Sequence, residues 1–387
     1  MKIIALIGRG VIAPYVIDAY IRVFEEEGHK VLPVECSQEF PVDRIEEVVR
    51  FQADFVLSYG HVGFLRLQGE GFFFRVLDIP LVSLHYDNPF LELTKEMEDE
   101  LRDFPNHYIN FIWDQTYLDF YRSGQFQNGH HIMLAVDEKN FFPVKNNSVK
   151  SAACFVGAIG KAMPALNEGA GYEERFIHEA VEKKLAHFDA SLLEICSDLF
   201  SKEEYHLIEK RFLRAPYHFW SILYTKMNAL GSPSLRKHIL DKIQNIELHI
   251  YGSSDRNNPK AIFHEKVPYG EELAAVYREY AININISSLQ LETALNNRPF
   301  DVFAAGGFVL NDYRKDLEIV FPDHWEKITY RNIEDLQQKC EYYLAHEKER
   351  KELSDELGNI VRSSHTYRHR AKHILGVVEQ RGKGTKS

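Results

Sequence analysis

The segment RPFDVFAAGGFVLNDYRKDL, residues 298–317, combines a cation, a lone acid and two adjacent glycines within an apolar stretch. Arg298 stands next to a proline, which favours the first turn of a helix, where N–H groups lack intrahelical partners. Free N–H groups and a guanidinium together suit a diphosphate, because the guanidinium can form two parallel hydrogen bonds to it. Asp301 lies further into the helix and can accept hydrogen bonds from vicinal ribose hydroxyls. The alternative is that Asp301 only complements the positive end of the helix dipole.

Two turns upstream carry residues of the same kind. The sequence HIYGSSDRNNP places Gly252 and Ser253 directly after a strand-like run, where small residues let backbone N–H groups approach phosphate oxygens. In VPYGEEL, Val267 and Tyr269 precede a helix that begins with two glutamates. Such a turn can contact the edge of a nucleotide base through backbone groups while the tyrosine stacks. The alternative is an ordinary helix start with acids at the positive end of the dipole.

A different ligand is indicated by GRGVIA, residues 8–13, which matches the G-x-G-x-x-A pattern of dinucleotide-binding turns. Gly8 and Gly10 follow an apolar strand-like run, and Glu35 ends the next such run, where these folds place the acid that binds a ribose. Taken alone, this turn predicts a nicotinamide- or flavin-dependent enzyme. The alternative is that any first strand-to-helix turn favours glycines, because they allow the helix to pack closely.

Candidate general bases follow two other strand-like runs of the first half. His61 occurs in SYGHVGF, and His85 and Asp87 occur in SLHYDNP. A group at the end of a strand can deprotonate an acceptor hydroxyl, so these three side chains are the catalytic candidates. The alternative for Asp87 is an Asx-type turn with the asparagine and proline that follow. Histidines such as the other two are more often structural than catalytic.

The elements that carry these residues alternate between strands and helices. Apolar runs such as KIIALIG, DFVLSYG and IPLVSLHYD are separated by amphipathic stretches, which predicts parallel strands joined by right-handed helical crossovers. A polar, proline-containing linker at 139–151 separates two such series, and a helix-rich stretch at 172–245 interrupts the second. Ligands of open α/β sheets bind beyond the carboxyl ends of the strands, so the strand-to-helix turns are the expected sites.

The composition limits the class of protein. Of 387 residues, 45% are hydrophobic and 27% are charged. No stretch reaches the roughly 18 consecutive apolar residues of a membrane span. The net charge of −11 argues against broad nucleic-acid binding, which generally leaves a basic footprint. The four cysteines are widely spaced without a CxxC pair, which predicts free thiols in a reducing cytoplasm and no metal site built on cysteine. The amino terminus predicts a first strand and not a signal peptide.

The segments IYGSS, VPYGEELAAVYREYAININISS and RPFDVFAAGGFVLNDYRKDLEIVF resemble the C-terminal domain of glycosyltransferases related to the spore maturation protein CgeB. The pattern of that family includes a strand ending in YG, a V.YGEEL segment and R.FEALA.GGF.LTDYR.DLEELF. The similarity extends over almost the whole chain, through DFVLSYG, IPLVSLHYDNP, FIWDQTYLDFYRSG, LAVDEKNFFP and CFVGAIG. This sequence departs from the pattern at Asp301, where the family usually has glutamate.

The resemblance implies an α/β fold of the GT-B type, with two Rossmann-like domains facing a cleft. We expect an acceptor-side domain at 1–145, a nucleotide-sugar-binding domain at 150–362, and a helix at 363–380 that packs back on the first domain. The helical stretch 172–245 is a departure from the family that either shapes an acceptor site or mediates formation of a homodimer. The donor-binding residues that the resemblance and the turns indicate are Gly252, Ser253, Val267, Tyr269, Arg298, Phe300 and Asp301. The resemblance also makes Asp87 the first choice of base, because it matches an acid in a DxP-type segment of the family.

These observations predict a cytoplasmic glycosyltransferase that needs no metal and no tightly bound cofactor. Its donor would be a UDP-, GDP- or dTDP-sugar, and its acceptor an unidentified glycan, protein or small molecule. One alternative is an NAD(P)-dependent oxidoreductase that uses Gly8 and Gly10. A second is a non-catalytic sugar-nucleotide-binding or scaffold protein, to which the substitution at Asp301 lends some weight. A sugar-nucleotide epimerase of the same fold is a third.

Overall fold

The structure is a computed structural model, and it describes residues 1–8, 10, 12–36, 41–67, 70–144, 148–214 and 219–384. The chain divides into two compact units. The first comprises Met1–Leu134 and the segment from Thr366 onward, and the second comprises Ala135–His365. None of the helices in these ranges combines the length and apolarity needed to cross a membrane.

The regular elements follow one another in strand–helix alternation through most of the chain. The strands are β1 Lys2–Ile7, β2 Lys30–Glu35, β3 Phe55–Tyr59, β4 Arg66–Leu67, β5 Gly71–Phe72, β6 Leu81–His85, β7 Tyr108–Ile112, β8 Gly129–His131, β9 Lys150–Val156, β10 Leu248–Tyr251, β11 Ala261–His264, β12 Tyr280–Asn285, β13 Val309–Asp312 and β14 Thr329–Tyr330. The α-helices are α1 Ala13–Glu26, α2 Ile45–Phe51, α3 Phe73–Val76, α4 Lys95–Asp103, α5 Gln115–Ser123, α6 Tyr172–Ala186, α7 Leu192–Phe200, α8 His206–Arg214, α9 Thr225–Leu240, α10 Glu271–Glu279, α11 Asn297–Ala305, α12 Asp316–Val320, α13 Trp325–Ile328, α14 Ile333–Ala345, α15 Glu347–Ser364 and α16 Tyr367–Gly384. A π-helix, Phe219–Tyr224, leads directly into α9.

The first unit is built on a parallel sheet with strand order β2-β1-β3-β6-β7-β8, beside a small antiparallel pair formed by β4 and β5. Its central strands are apolar runs because a parallel sheet is covered on both faces. The four residues Ile3, Ile4, Ala5 and Leu6 of β1, for example, are fully buried. The last helix, α16, belongs to this unit: it packs on α1, where the rings of Tyr20 and Tyr367 lie 5.1 Å apart.

The second unit is built on a parallel sheet with strand order β11-β10-β9-β12-β13-β14. Counted along the chain, this is the order 3-2-1-4-5-6 of dinucleotide-binding folds, and the order reverses between β9 and β12. Each unit thus contains its own doubly wound sheet. The sequence-based prediction of two parallel α/β domains is confirmed.

The segment from α6 to α9 forms a helical subdomain within the second unit. Its core is aromatic: Phe176 stacks on Phe200 with ring centroids 5.6 Å apart, and Phe219 lies edge-on to Phe200 at 5.7 Å. The predicted helix-rich stretch 172–245 is therefore helical over most of its described length, as the separate helices α6 to α9.

The chain passes from the first unit to the second, and back, at residues other than the expected domain boundaries. The second unit begins at Ala135, before the linker predicted at 139–151 and the expected domain start at residue 150. The reason is that Phe141 is fully buried against Tyr269, with ring centroids 5.1 Å apart, and so belongs to the second core. The return to the first unit falls at Thr366, close to the expected start of the last helix at 363.

Candidate functional site

The carboxyl ends of β9 and β12 meet where the strand order of the second sheet reverses, which is where open α/β sheets bind ligands. β9 ends at Val156 and β12 at Asn285. Arg298, in the first turn of α11, reaches both: its Nε donates to the Val156 carbonyl oxygen (2.9 Å) and its Nη1 to Asn285 Oδ1 (3.1 Å). The structure therefore places the guanidinium of Arg298 at the switch point of the sheet.

A glycine makes room for this guanidinium. A Cβ atom at Gly157, directly after β9, would lie 2.7 Å from Arg298 Nη2 and 3.1 Å from the Phe155 ring. Because real Cβ atoms do not approach other atoms so closely, a side chain at this position would displace the arginine. The turn after β9 and the start of α11 are thus fitted to one another.

The start of α11 differs from the expected cradle of free N–H groups. The Asn296 side chain caps the helix, and its Oδ1 accepts from the Arg298 N–H (3.1 Å). Pro299 has no N–H to offer. The Asn296 cap therefore occupies one of the backbone donors that the sequence predicts to be free at this turn. The positive charge at this place comes from the guanidinium.

A second cation, which sequence reasoning missed, lies beside the first. Arg236 extends from α9, and its Nη1 donates to the carbonyl oxygen of Ala158 (2.8 Å) in the turn after β9. Burial, together with the neighbouring Arg298, lowers the pKa of Arg236 to about 10. Its Nε has no hydrogen-bond partner among the described residues. No motif marks Arg236 in the sequence, because α9 is far along the chain from both strand ends.

Asp301, the residue predicted to bind a ribose, is fully buried in this structure. Its Oδ2 accepts from the Tyr269 hydroxyl (2.9 Å), and its Oδ1 has no hydrogen-bond partner in the described part of the chain. Burial raises the pKa of this carboxyl well above its ordinary value, against the lowering effect of the Tyr269 hydroxyl. The nearby Asp137 raises that pKa as well. The carboxyl of Asp301 therefore accepts a hydrogen bond from Tyr269 and does not face solvent.

Of the other residues expected to bind the donor, Tyr269 and Val267 are partly exposed and Phe300 is buried. Tyr269 is half-buried and its hydroxyl also accepts from the Asn297 side chain (3.3 Å), while Val267 is half-buried beside an apolar cluster. Phe300 is fully buried, with its ring 5.7 Å from that of His365. Phe300 is thus packed in the core of the second unit, because α11 turns this position inward.

The turn after β10 does not present the expected hydroxyl donors. Two carbonyl oxygens lie within hydrogen-bonding distance of the Ser253 hydroxyl, those of Ile159 (3.2 Å) and Asp255 (2.5 Å). The next hydroxyl, that of Ser254, also donates to Ile159 (3.1 Å). Gly252 precedes them, in a turn whose side-chain donors are engaged by the protein. The turn after β10 therefore holds the turn after β9 in place.

The three catalytic candidates lie together at the carboxyl edge of the first sheet. The rings of His61 and His85 are 5.1 Å apart. The Pro89 carbonyl oxygen accepts from His61 Nε2 (2.9 Å), so the proton of the neutral ring resides there, and Nδ1 is buried without a partner among the described residues. Asp87 is exposed, and its Oδ2 accepts from the Tyr59 hydroxyl (3.2 Å).

The two histidines are neutral rings. Burial, together with the neighbouring His61, lowers the pKa of His85 to about 3. Burial also lowers the pKa of His61, against the raising effect of the Pro89 carbonyl. His85 is therefore too weak a base to hold a proton near neutral pH. Asp87 is the exposed member of the group, so its carboxylate is the most accessible of the three side chains to a substrate.

In the glycine turn at the amino terminus, Gly8 lies against the side chain of Val62. A Cβ at Gly8 would lie 2.9 Å from Val62 Cγ2, so this side chain covers the first glycine. Gly10 precedes α1, and Glu35 is exposed at the end of β2. Positions 9 and 11 of the GRGVIA motif lie outside the described residues. Among those that are described, no cluster of three histidine, cysteine, aspartate or glutamate side chains could hold a metal ion.

Comparison with known proteins gives a family match for part of the chain. Residues 236–376 match the family described as glycosyl transferase-like. That range begins at Arg236 and includes Arg298. No curated protein sequence matches the chain.

Solved structures resemble the chain over nearly its full length. Sucrose-phosphate synthase from Thermosynechococcus elongatus has a TM-score of 0.55 at 10% identity, covering 98% of this chain and 99% of that one. T4 phage BGT in complex with its UDP-glucose substrate has a TM-score of 0.53 at 11% identity, with coverage of 98% and 99%. An alpha-glucosyltransferase in complex with UDP and a 13-mer DNA has a TM-score of 0.57 at 9% identity, with coverage of 98% and 100%. T4 phage BGT has also been solved with UDP and Mn²⁺. The chain thus has the fold of GT-B glycosyltransferases.

Proposed function

We propose that this protein is a glycosyltransferase that moves a sugar from a nucleoside-diphosphate sugar to an acceptor not yet identified. The observation that carries the proposal is the pair of guanidinium groups, Arg298 and Arg236, at the switch point of the second sheet. The family match and the structures solved with UDP or UDP-glucose support the same reaction class.

The two arginines supply what the chemistry demands. Breaking the bond between the sugar and the diphosphate leaves negative charge on the departing phosphate oxygens. Preorganised cations at that position stabilise the charge as it develops, and guanidinium groups can do so through paired hydrogen bonds. A guanidinium has five N–H donors, of which Arg298 uses three for Val156 and Asn285. The same group can therefore hold the turn after β9 and still bind an anion.

The nucleoside is assigned to the neighbouring turn before α10. Tyr269 is the partly exposed member of the pair that it forms with Asp301, and Phe141 packs against its ring. We assign the base and ribose to contacts with Tyr269 and with Asn297, which share a hydrogen bond. In this assignment Asp301 orients the tyrosine and does not bind the ribose itself.

The acceptor hydroxyl needs a base, and Asp87 of the first unit is the candidate. It is exposed and oriented by the Tyr59 hydroxyl, whereas the pKa of His85 is far below neutral. His61, whose Nδ1 carries a lone pair, is the next candidate. We propose that the reaction proceeds without a bound metal and in the cytoplasm. A measurement of the mass of the protein in solution would show whether it acts as a homodimer.

The test is a binding screen with UDP, GDP, dTDP and NAD, read as a shift in the melting temperature. We expect one nucleoside diphosphate to stabilise the protein and NAD to have no effect. Stabilisation by NAD alone would reject the transferase in favour of an oxidoreductase that uses the glycines of the first unit. Binding of the nucleotide sugar with neither hydrolysis nor transfer would favour a binding or scaffold protein, and conversion of the sugar without transfer would favour an epimerase.

A further inference from the structure

A row of polar side chains runs along the last helix of the helical subdomain. Tyr224, Asn228, Ser232 and Arg236 occur at every fourth position, so they lie on one side of the helix. Tyr224 ends the π-helix and the other three belong to α9. We call these four residues the α9 row. Arg236, at its far end, is the second cation of the candidate site.

The middle of the α9 row binds the backbone of the β12–α11 loop, residues 286–296. The N–H of Gln290 donates to Asn228 Oδ1 (3.1 Å) and the N–H of Leu289 donates to Ser232 Oγ (2.9 Å). The Ser232 hydroxyl in turn donates to the same Asn228 oxygen (2.7 Å). Asn228 Oδ1 is therefore the common acceptor of this small network.

A further contact joins the same loop to two other parts of the helical subdomain. The side chain of Glu292 accepts from the Tyr224 hydroxyl and, through Oε1, from the N–H of Leu193 in the first turn of α7 (3.1 Å). A carboxylate in this place also complements the positive end of the α7 dipole. The loop is thus held from both α7 and α9.

The ends of the loop are bonded to the sheet and to the candidate site. At its start, the N–H and the hydroxyl of Ser287 both donate to Asp312 Oδ1 (2.9 Å each). At its end, Asn296 Nδ2 donates to Asn285 Oδ1 (2.8 Å), the atom that also accepts from Arg298. The end of the loop and the guanidinium of Arg298 therefore share one acceptor atom, Asn285 Oδ1.

We propose that the helical subdomain positions the donor site, and that Asn228 is its central positioning residue. This inference rests on the proposed function. The α9 row binds the loop after β12 through Asn228 and Ser232, and it binds the turn after β9 through Arg236. One helix face thus binds both strand-end segments that meet at the switch point. Removing the contacts of the α9 row would therefore make the position of Arg298 less fixed, although these contacts do not involve the nucleotide.

The test compares Asn228→Leu with Asn228→Asp and with Ala229→Leu. The leucine removes the acceptor, the aspartate keeps an oxygen in its place, and Ala229 is an exposed neighbour on the same helix. Hydrogen exchange of segment 286–296 is measured in the free proteins, and the affinities for UDP, GDP and dTDP are measured by calorimetry. We expect Asn228→Leu to speed exchange in this segment and to weaken the affinity about three- to tenfold, the effect of losing a hydrogen bond. Asn228→Asp is expected to restore both properties, and Ala229→Leu to leave both unchanged.

Three results would overturn the inference. Faster exchange with unchanged nucleotide affinity would show that the loop does not position the site. Equal losses in Asn228→Leu and Ala229→Leu would show a general loss of stability. A wild-type protein that binds none of the three nucleotides would reject the proposed function, and the inference with it, whereas the first two results leave the proposed function intact.

Discussion

The Nε of Arg298 donates to the carbonyl oxygen of Val156 over 2.9 Å, although 142 positions separate the two residues in the sequence. Val156 ends the first strand of the second sheet, and Arg298 opens the helix that follows the fourth. This bond spans the place where the strand order reverses.

Replacing either arginine of the site should weaken nucleotide binding. Arg298→Gln and Arg236→Gln each remove charged hydrogen-bond donors, so we expect losses of about 1.5–3 kcal/mol in the free energy of binding. Arg298→Lys should recover little, because an ammonium lacks the planar fork. Calorimetric titration with UDP, GDP or dTDP measures the effect. Arg256→Gln is the matched control, since Arg256 is exposed and pairs with Glu265; an equal loss in this variant would contradict the assignment.

Two glycines near the site should differ sharply in their tolerance of alanine. Gly157→Ala should weaken nucleotide affinity, because its Cβ would lie 2.7 Å from Arg298 Nη2 and would push the guanidinium away. Gly160→Ala should be neutral, because its Cβ would be 3.7 Å from the nearest atom, in Pro233. Calorimetric titration of both variants with the preferred nucleotide checks the pair. Similar affinities for the two variants would argue that the turn after β9 plays no part in binding.

Stability should depend on pH through Asp301. Burial raises the pKa of Asp301 well above its ordinary value of 3.8, so the folded protein holds this proton more tightly than the unfolded chain. The free energy of unfolding contributed by this group is therefore greatest below pH 3.8 and falls as the pH rises towards the raised pKa. Asp301→Asn cannot ionise, so its stability relative to wild type should be higher at pH 8 than at pH 4. Urea denaturation at several pH values measures the difference, and a difference independent of pH would show that Asp301 has an ordinary pKa.

Asp87→Asn should retain donor binding and lose sugar transfer. A general base contributes about 10²- to 10⁴-fold to the rate, so kcat is expected to fall by a factor in that range. Tyr59→Phe removes the hydroxyl that lies 3.2 Å from the Asp87 carboxylate but leaves the base itself, and its effect should be smaller. The measurement is transfer or hydrolysis of the preferred nucleotide sugar. Normal turnover in Asp87→Asn would show that Asp87 is not the general base. His61 would then be the next candidate, and His61→Gln would test it.

Chelation should leave activity unchanged. The charge on the departing diphosphate is assigned to Arg298 and Arg236, so EDTA treatment is expected to alter neither nucleotide affinity nor turnover. A structure of T4 phage BGT contains Mn²⁺ together with UDP, which makes the comparison informative. Loss of turnover with EDTA, restored by Mn²⁺ or Mg²⁺, would show that a metal shares this role.

Several features of the site were accessible from the sequence. The sequence predicts Arg298 as an anion-binding residue because a proline marks a helix start and an arginine beside it can bind an anion. It predicts Asp87, His61 and His85 as candidate bases because polar side chains at the end of an apolar run lie at the edge of a sheet. In the structure the rings of His61 and His85 lie 5.1 Å apart, and the Asp87 carboxylate accepts from the Tyr59 hydroxyl.

Other features were beyond the reach of sequence patterns. All positions of α11 from Pro299 to Ala305 are buried, so no apolar periodicity could tell which of them face a ligand. The sequence therefore does not reveal that Phe300 and Asp301 are buried. It does not reveal the acceptor of the Ser253 hydroxyl either, because that acceptor, the carbonyl oxygen of Ile159, is 94 positions away.

The sequence by itself determined the two series of parallel strands, because buried strands must be apolar runs and the turns between them must be polar. It also determined the chemistry available at the strand ends. Only the tertiary structure decided which of these groups meet. Arg236 joins Arg298 because α9 folds back across the turn after β9, and such a contact depends on packing between distant segments and leaves no local pattern in the chain.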